Sequence, residues 1–109
     1  MVTKTLNAGA GAAFSIDLTD DDGGCGRIEI FSRIDCWVLP TTNKDLAEPA
    51  GTPAPGAGLK TDYIHLTAGE RLGLDLNQGV LSPAPPANRP IRRIVGWAIG
   101  AGEVIVTGN

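Results

Sequence analysis

General acid–base chemistry near neutral pH needs a group that titrates there, and the chain offers one histidine, His65, for the task. It stands between Ile64 and Leu66 in an alternating stretch, so the apolar neighbours share one face and the imidazole takes the other. That is the setting of a surface or half-buried structural histidine. Nucleophilic catalysis would need a hydroxyl or thiol beside such a base, but the serines are Ser15, Ser32 and Ser82, and none lies in a G-x-S-x-G elbow. The acidic run Asp20-Asp21-Asp22-Gly23, with Asp17 upstream, carries hard oxygen ligands of the kind calcium takes. It lacks the alternating ligands and the downstream bidentate Glu of an EF-hand, and reads as a solvated acidic turn. The glycines of Gly9–Gly11 and Gly100–Gly102 precede no helical pattern, which argues against a phosphate-cradling loop. The expectation is therefore no catalytic, cofactor-binding or metal-ligating residues.

Three other groups bear on partners. Arg89, Arg92 and Arg93 form the only basic cluster; Arg92 and Arg93 point to opposite faces of a strand, as a solvated strand end or a docking point for an acidic protein surface. Trp37 and Trp97 could stack on sugars, but the apolar strands around them point to core packing. Cys25, in a Gly-rich turn, and Cys36, beside Trp37, could form one disulfide; one pair is few for a bridge-dependent secreted mini-protein, and the expectation is two unbridged thiols with Cys36 buried.

The elements that carry these residues are strands. In the central stretch Tyr63–Leu76, Ile64 and Leu66 alternate with polar residues; after Ala68-Gly69-Glu70, Leu72, Leu74 and Leu76 alternate again. A period of two on both sides of a turn predicts two half-buried antiparallel strands. Every proline falls in one of two flanking stretches, Pro40, Pro49, Pro53 and Pro55 before this unit and Pro83, Pro85, Pro86 and Pro90 after it, which are read as loops because proline cannot donate to a ladder. Upstream, Val2–Leu6 reads as a short edge strand or extended arm, with Lys4 in the apolar register as a guard against sheet-to-sheet pairing. Ala13–Leu18 reads as a strand with Phe14, Ile16 and Leu18 inward. Arg27–Leu39 is too long for one strand, and its apolar face changes sides near Ser32–Asp35, which predicts a bend handing the chain from one sheet to another. Downstream, Ile91–Ile99 and Glu103–Thr107 are predicted to pair with each other across Gly100-Ala101-Gly102.

A chain of 109 residues with 15 glycines, 8 prolines and no sustained helical stripe fits one all-β domain, an antiparallel β-sandwich or jelly roll. The organisation expected is an arm or edge strand at 1–8 and a sandwich domain at 9–109, with long loops at 40–62 and 82–90. A net charge of −3 disfavours a nucleic-acid partner, and no run reaches the ~18 apolar residues of a membrane-spanning helix. The start MVTKTLNAGAGAAF is a poor signal-peptide core, being interrupted by Gly and Asn7.

In its length, Ala/Gly-rich start and proline-rich loops, the chain resembles the small β-sandwich decoration or cement proteins of tailed-bacteriophage virions. The segments LTAGERLGLDL at Leu66–Leu76 and IVGWAIGAGEVIVTG at Ile94–Gly108 add to the likeness. The resemblance implies a non-enzymatic virion protein, assembled in the host cytoplasm, that sits between major capsid subunits and stabilises the shell; tail and connector accessory proteins share the style. The extended start and the stiff loops suit such docking. The expected partner contacts are Val2, Lys4, Leu6, Leu46, Pro53, Pro55, Leu59, Arg89, Arg92 and Arg93, against a major capsid or other virion protein, with a homo-oligomer (dimer or trimer) left open. A carbohydrate- or receptor-binding sandwich is the alternative; it requires an exposed aromatic platform, which burial of Trp37 and Trp97 would remove.

Overall fold

Alternation of apolar and polar residues drives the strands, and in the computed structural model, which describes residues 2–19, 25–53, 63–75 and 90–108, there are eight of them and no helix. They are β1 (Val2–Ala8), β2 (Ala12–Asp17), β3 (Arg27–Ser32), β4 (Cys36–Thr41), β5 (Ile64–Leu66), β6 (Arg71–Asp75), β7 (Arg93–Ala98) and β8 (Gly102–Gly108). Two four-stranded antiparallel sheets result, sheet A in the order β1-β8-β3-β6 and sheet B in the order β2-β7-β4-β5. β1 pairs with β8, β2 with β7, β3 with β6 and β4 with β5, so the chain is one long antiparallel ribbon folded at the β4–β5 connection. Rolling that ribbon up brings β3 against β8 and β4 against β7. This is the eight-stranded jelly roll.

Rolling buries one face of each sheet. Phe14 and Ile16 of β2, Val38 of β4, Ile94 of β7, Ile28 and Ile30 of β3, and Val104 and Val106 of β8 meet in one core. Each alternates with a residue of the outer face, as the sequence pattern requires. The bend expected at Ser32–Asp35 is present and takes the chain from sheet A to sheet B. Buried Ser32 shapes it: its hydroxyl donates to the Ile34 carbonyl (2.5 Å) and accepts from the Ile34 amide (3.2 Å).

Two predicted pairings are corrected. β5 and β6 are joined by a turn, Thr67-Ala68-Gly69-Glu70, in which the Glu70 amide donates to the Thr67 carbonyl (3.0 Å) and Gly69 has φ 92°, the signature of a type II turn. The two strands then enter different sheets, so the unit is a corner and not a hairpin. The same holds for β7 and β8, which leave Gly100-Ala101-Gly102 for opposite sheets. Asp35 ties these corners together: its carboxylate accepts from the Ala68 amide (2.9 Å) and its carbonyl from the Ile99 amide (2.9 Å).

One smaller expectation changes and two are narrowed. Pro40 is no loop residue but part of β4, buried and in register with Ile94; the ladder to β5 covers only Cys36–Val38, so one side of β4 has no partner strand there, which is where proline is tolerated. Cys25 is buried like Cys36, bridged through its backbone to Ile91, and no disulfide joins the two thiols. Residues 2–8 are a full strand on the edge of sheet A, paired along their whole length with β8.

Candidate functional site

Register builds the most distinctive surface of the molecule. On the outer face of sheet B, Ala13 of β2 lies beside Trp97 of β7, Trp97 beside Trp37 of β4, and Trp37 beside His65 of β5. Three aromatic rings from three neighbouring strands thus stand in one cross-strand row. Core packing of the tryptophans is corrected: both are half-buried and lie outside the core cluster, because the inward residues of their strands are Cys36 and Val38, and Ile94 and Ala98. His65 is exposed, and its ring meets that of Trp37 at 4.7 Å between centroids, tilted by 35°. One row toward the short corners, the ladder continues with Asp35 beside Ile99, joined by the Ile99 amide. Asp35 is exposed, and Ile99, at 44%, is the most exposed large apolar residue among those described.

Toward the other end of the face the surface closes. Val95 and Leu39, the next cross-strand pair, are buried. The β4–β5 connection begins on this side: the Asn43 amide donates to Thr41 Oγ1 (3.1 Å), Asn43 Oδ1 accepts from the Asp45 amide (3.0 Å), and Arg93 Nη1 donates to the Lys44 carbonyl (3.4 Å). Trp37 Nε1 and Arg93 Nε are buried with no hydrogen-bond partner among the described residues, each at a cost of order 1–3 kcal/mol. Burial also raises the Tyr63 hydroxyl above its usual pKa.

The described residues expected to meet a partner come from β1, from the β4–β5 connection and from the segment leading into β7. Val2, Lys4 and Leu6 lie on β1, paired with β8, and Leu6 packs against the core of its own domain. Lys4 lines a shallow groove of about 200 Å³ between the edges of β1 and β2, with Leu6, Ser15 and Asp17. The hydroxyl and amide of Thr19 hold the Asp17 carboxyl below its usual pKa, helped by the charges of Arg93 and Lys4. Leu46 is half-buried and Pro53 buried, both in the β4–β5 connection. Arg92 and Arg93 are both half-buried, and the Arg92 amide and carbonyl bond to Thr41 and Leu18. Pro55, Leu59 and Arg89, like the acidic run Asp20–Asp22, lie outside the described residues.

On the outer face of sheet A the chemistry is that of a solvated surface. Arg71 bonds Glu29 at 2.8 Å and covers the Phe31 ring at 4.5 Å, with Arg33 at 5.3 Å from the same ring. Cys36 is fully buried, its thiol pKa pushed up by burial with the Ser32 hydroxyl 3.3 Å away; a protonated, buried thiol is inert. Among the described residues no three of His, Cys, Asp and Glu come together as metal ligands, and no helix is long and apolar enough to cross a membrane.

Sequence reasoning named Trp37 and Trp97 together as rings that could stack on sugars, and His65 apart from them, and missed that the three are neighbours. The missing information was register: each is flanked in sequence by inward residues, but only the β7–β4 and β4–β5 ladders put the three side by side. The chain matches no protein-family model, and no curated protein or solved structure is significantly similar to it.

Proposed function

We propose that the chain is a non-enzymatic structural protein of a tailed-phage virion, a decoration or cement module that docks where major capsid subunits meet. The observation that supports this reading is the difference between the two ends of the sandwich. The connections β1–β2, β3–β4, β5–β6 and β7–β8 are tight corners, whereas β2–β3, β4–β5 and β6–β7 all leave from the opposite end and are long. Those long connections carry seven of the prolines, so the residues whose φ is fixed by a ring are concentrated in one set of connections. Stiff loops lose less entropy on docking, and a shell that repeats the contact many times turns a weak bond into a firm coat.

Binding to the expanded lattice and not to separated subunits would stabilise the shell by mass action. The test is co-sedimentation of the purified chain with expanded and unexpanded tailed-phage heads, followed by calorimetry of head disruption. Binding to expanded heads with a raised disruption temperature is expected. Binding to neither form of head, or to other virion parts alone, overturns the capsid assignment.

A further inference from the structure

We infer that the outer face of sheet B carries a stacking site for a neutral sugar, with Trp97, Trp37 and His65 as its floor. This goes beyond the structural role proposed above and does not depend on it. The floor spans two strand spacings, roughly 10 Å, which is comparable to a disaccharide. Both tryptophans are half-buried and the histidine is exposed, so part of each residue in the row reaches the outside. Trp37 Nε1 is buried, so any part of this indole that reaches the outside is carbon and not its N–H. A pyranose presents a patch of polarised C–H groups that complements the negative face of an aromatic ring.

Polar and apolar neighbours suit the same ligand. Asp35 follows in register beside the row, exposed, and its carboxylate is oriented by the Ala68 amide at 2.9 Å. A fixed carboxylate is an acceptor for sugar hydroxyls. Ile99, exposed just past the end of β7, extends the floor for the C–H edge of the ligand. Aromatic rows also stack nucleobases, but such sites need a positive field for the phosphates. Here the flanking charge nearest the row is a carboxylate and the chain carries a net charge of −3, so the stacked ligand is an uncharged polyol.

The test is a titration of the intact chain with cellobiose, maltose, lactose and diacetylchitobiose, read by tryptophan emission and by the two indole N–H resonances. At least one disaccharide is expected to give a saturable shift in the millimolar range. His65→Ala, at an exposed edge position that leaves the core untouched, should weaken binding severalfold. Trp97→Ala should abolish it, with the dispersion of the amide spectrum reporting that the fold is retained. No saturable response to any of the four sugars overturns the assignment. So does a response that survives both substitutions.

Discussion

Gly96 lies at the closest approach in sheet B, where the Phe14 ring covers it across the β2–β7 ladder and the Trp37 carbonyl flanks it. A Cβ at this position would overlap both. Gly96→Ala should therefore lower stability by about 1–3 kcal/mol in urea unfolding, whereas Gly73→Ala, with open space around it, should not. Burial that raises the Cys36 pKa also predicts its reactivity: alkylation at mildly alkaline pH should be negligible in the folded protein and complete in denaturant, for Cys25 as well as Cys36. Glu70 supplies a pH signature. The Thr67 hydroxyl and amide hold its carboxyl below the usual range. With the folded pKa depressed, the stabilisation is present above the unfolded value and lost as the pH falls through the folded one. A carboxyl NMR titration should show the Glu70 midpoint rising in Thr67→Ala; an unchanged midpoint would dismiss the hydroxyl as its cause.

β1 is the element whose role most separates the alternatives. An arm can be cut without harm to the domain, but a paired edge strand cannot, because Leu6 and Ala8 pack on the core and β8 would become the new edge. Deleting residues 1–7 should cost at least about 2 kcal/mol, the scale of one buried leucine, measured by denaturant unfolding; an unchanged midpoint would restore the arm. Strand spans were legible in the sequence, since half-buried strands alternate, and the bend at Ser32–Asp35 showed itself as a change of apolar parity. Pairing was not legible. A four-residue turn such as Thr67–Glu70 fits a hairpin and a corner equally, and only the demand of the facing layer decides between them. The outer face of sheet B misled for a related reason: Val95 and Leu39 are buried on the side away from the core, so β4 and β7 look apolar on both faces and Trp37 and Trp97 read as interior.

At the scale of the molecule, the rolled ribbon makes nearly every ladder join residues distant in sequence, β1 with β8 most of all. Loop closure must precede the contacts that reward it, so refolding is expected in milliseconds to seconds and not in microseconds; stopped-flow tryptophan fluorescence would measure it. The jelly roll as a class followed from composition and strand number, but the order β1-β8-β3-β6 depends on how the ribbon rolls, which no local pattern records. The β1–β8 ladder also sets Val2 opposite Gly108, so the described chain begins and ends at one corner of the sandwich. A peptide of a few residues would close the backbone into a ring, and a circular permutant opened elsewhere would keep every ladder. Cargo fused before β1 or after β8 would emerge from the same point, so the choice of fusion site alters the order of the genes and hardly the geometry of the product.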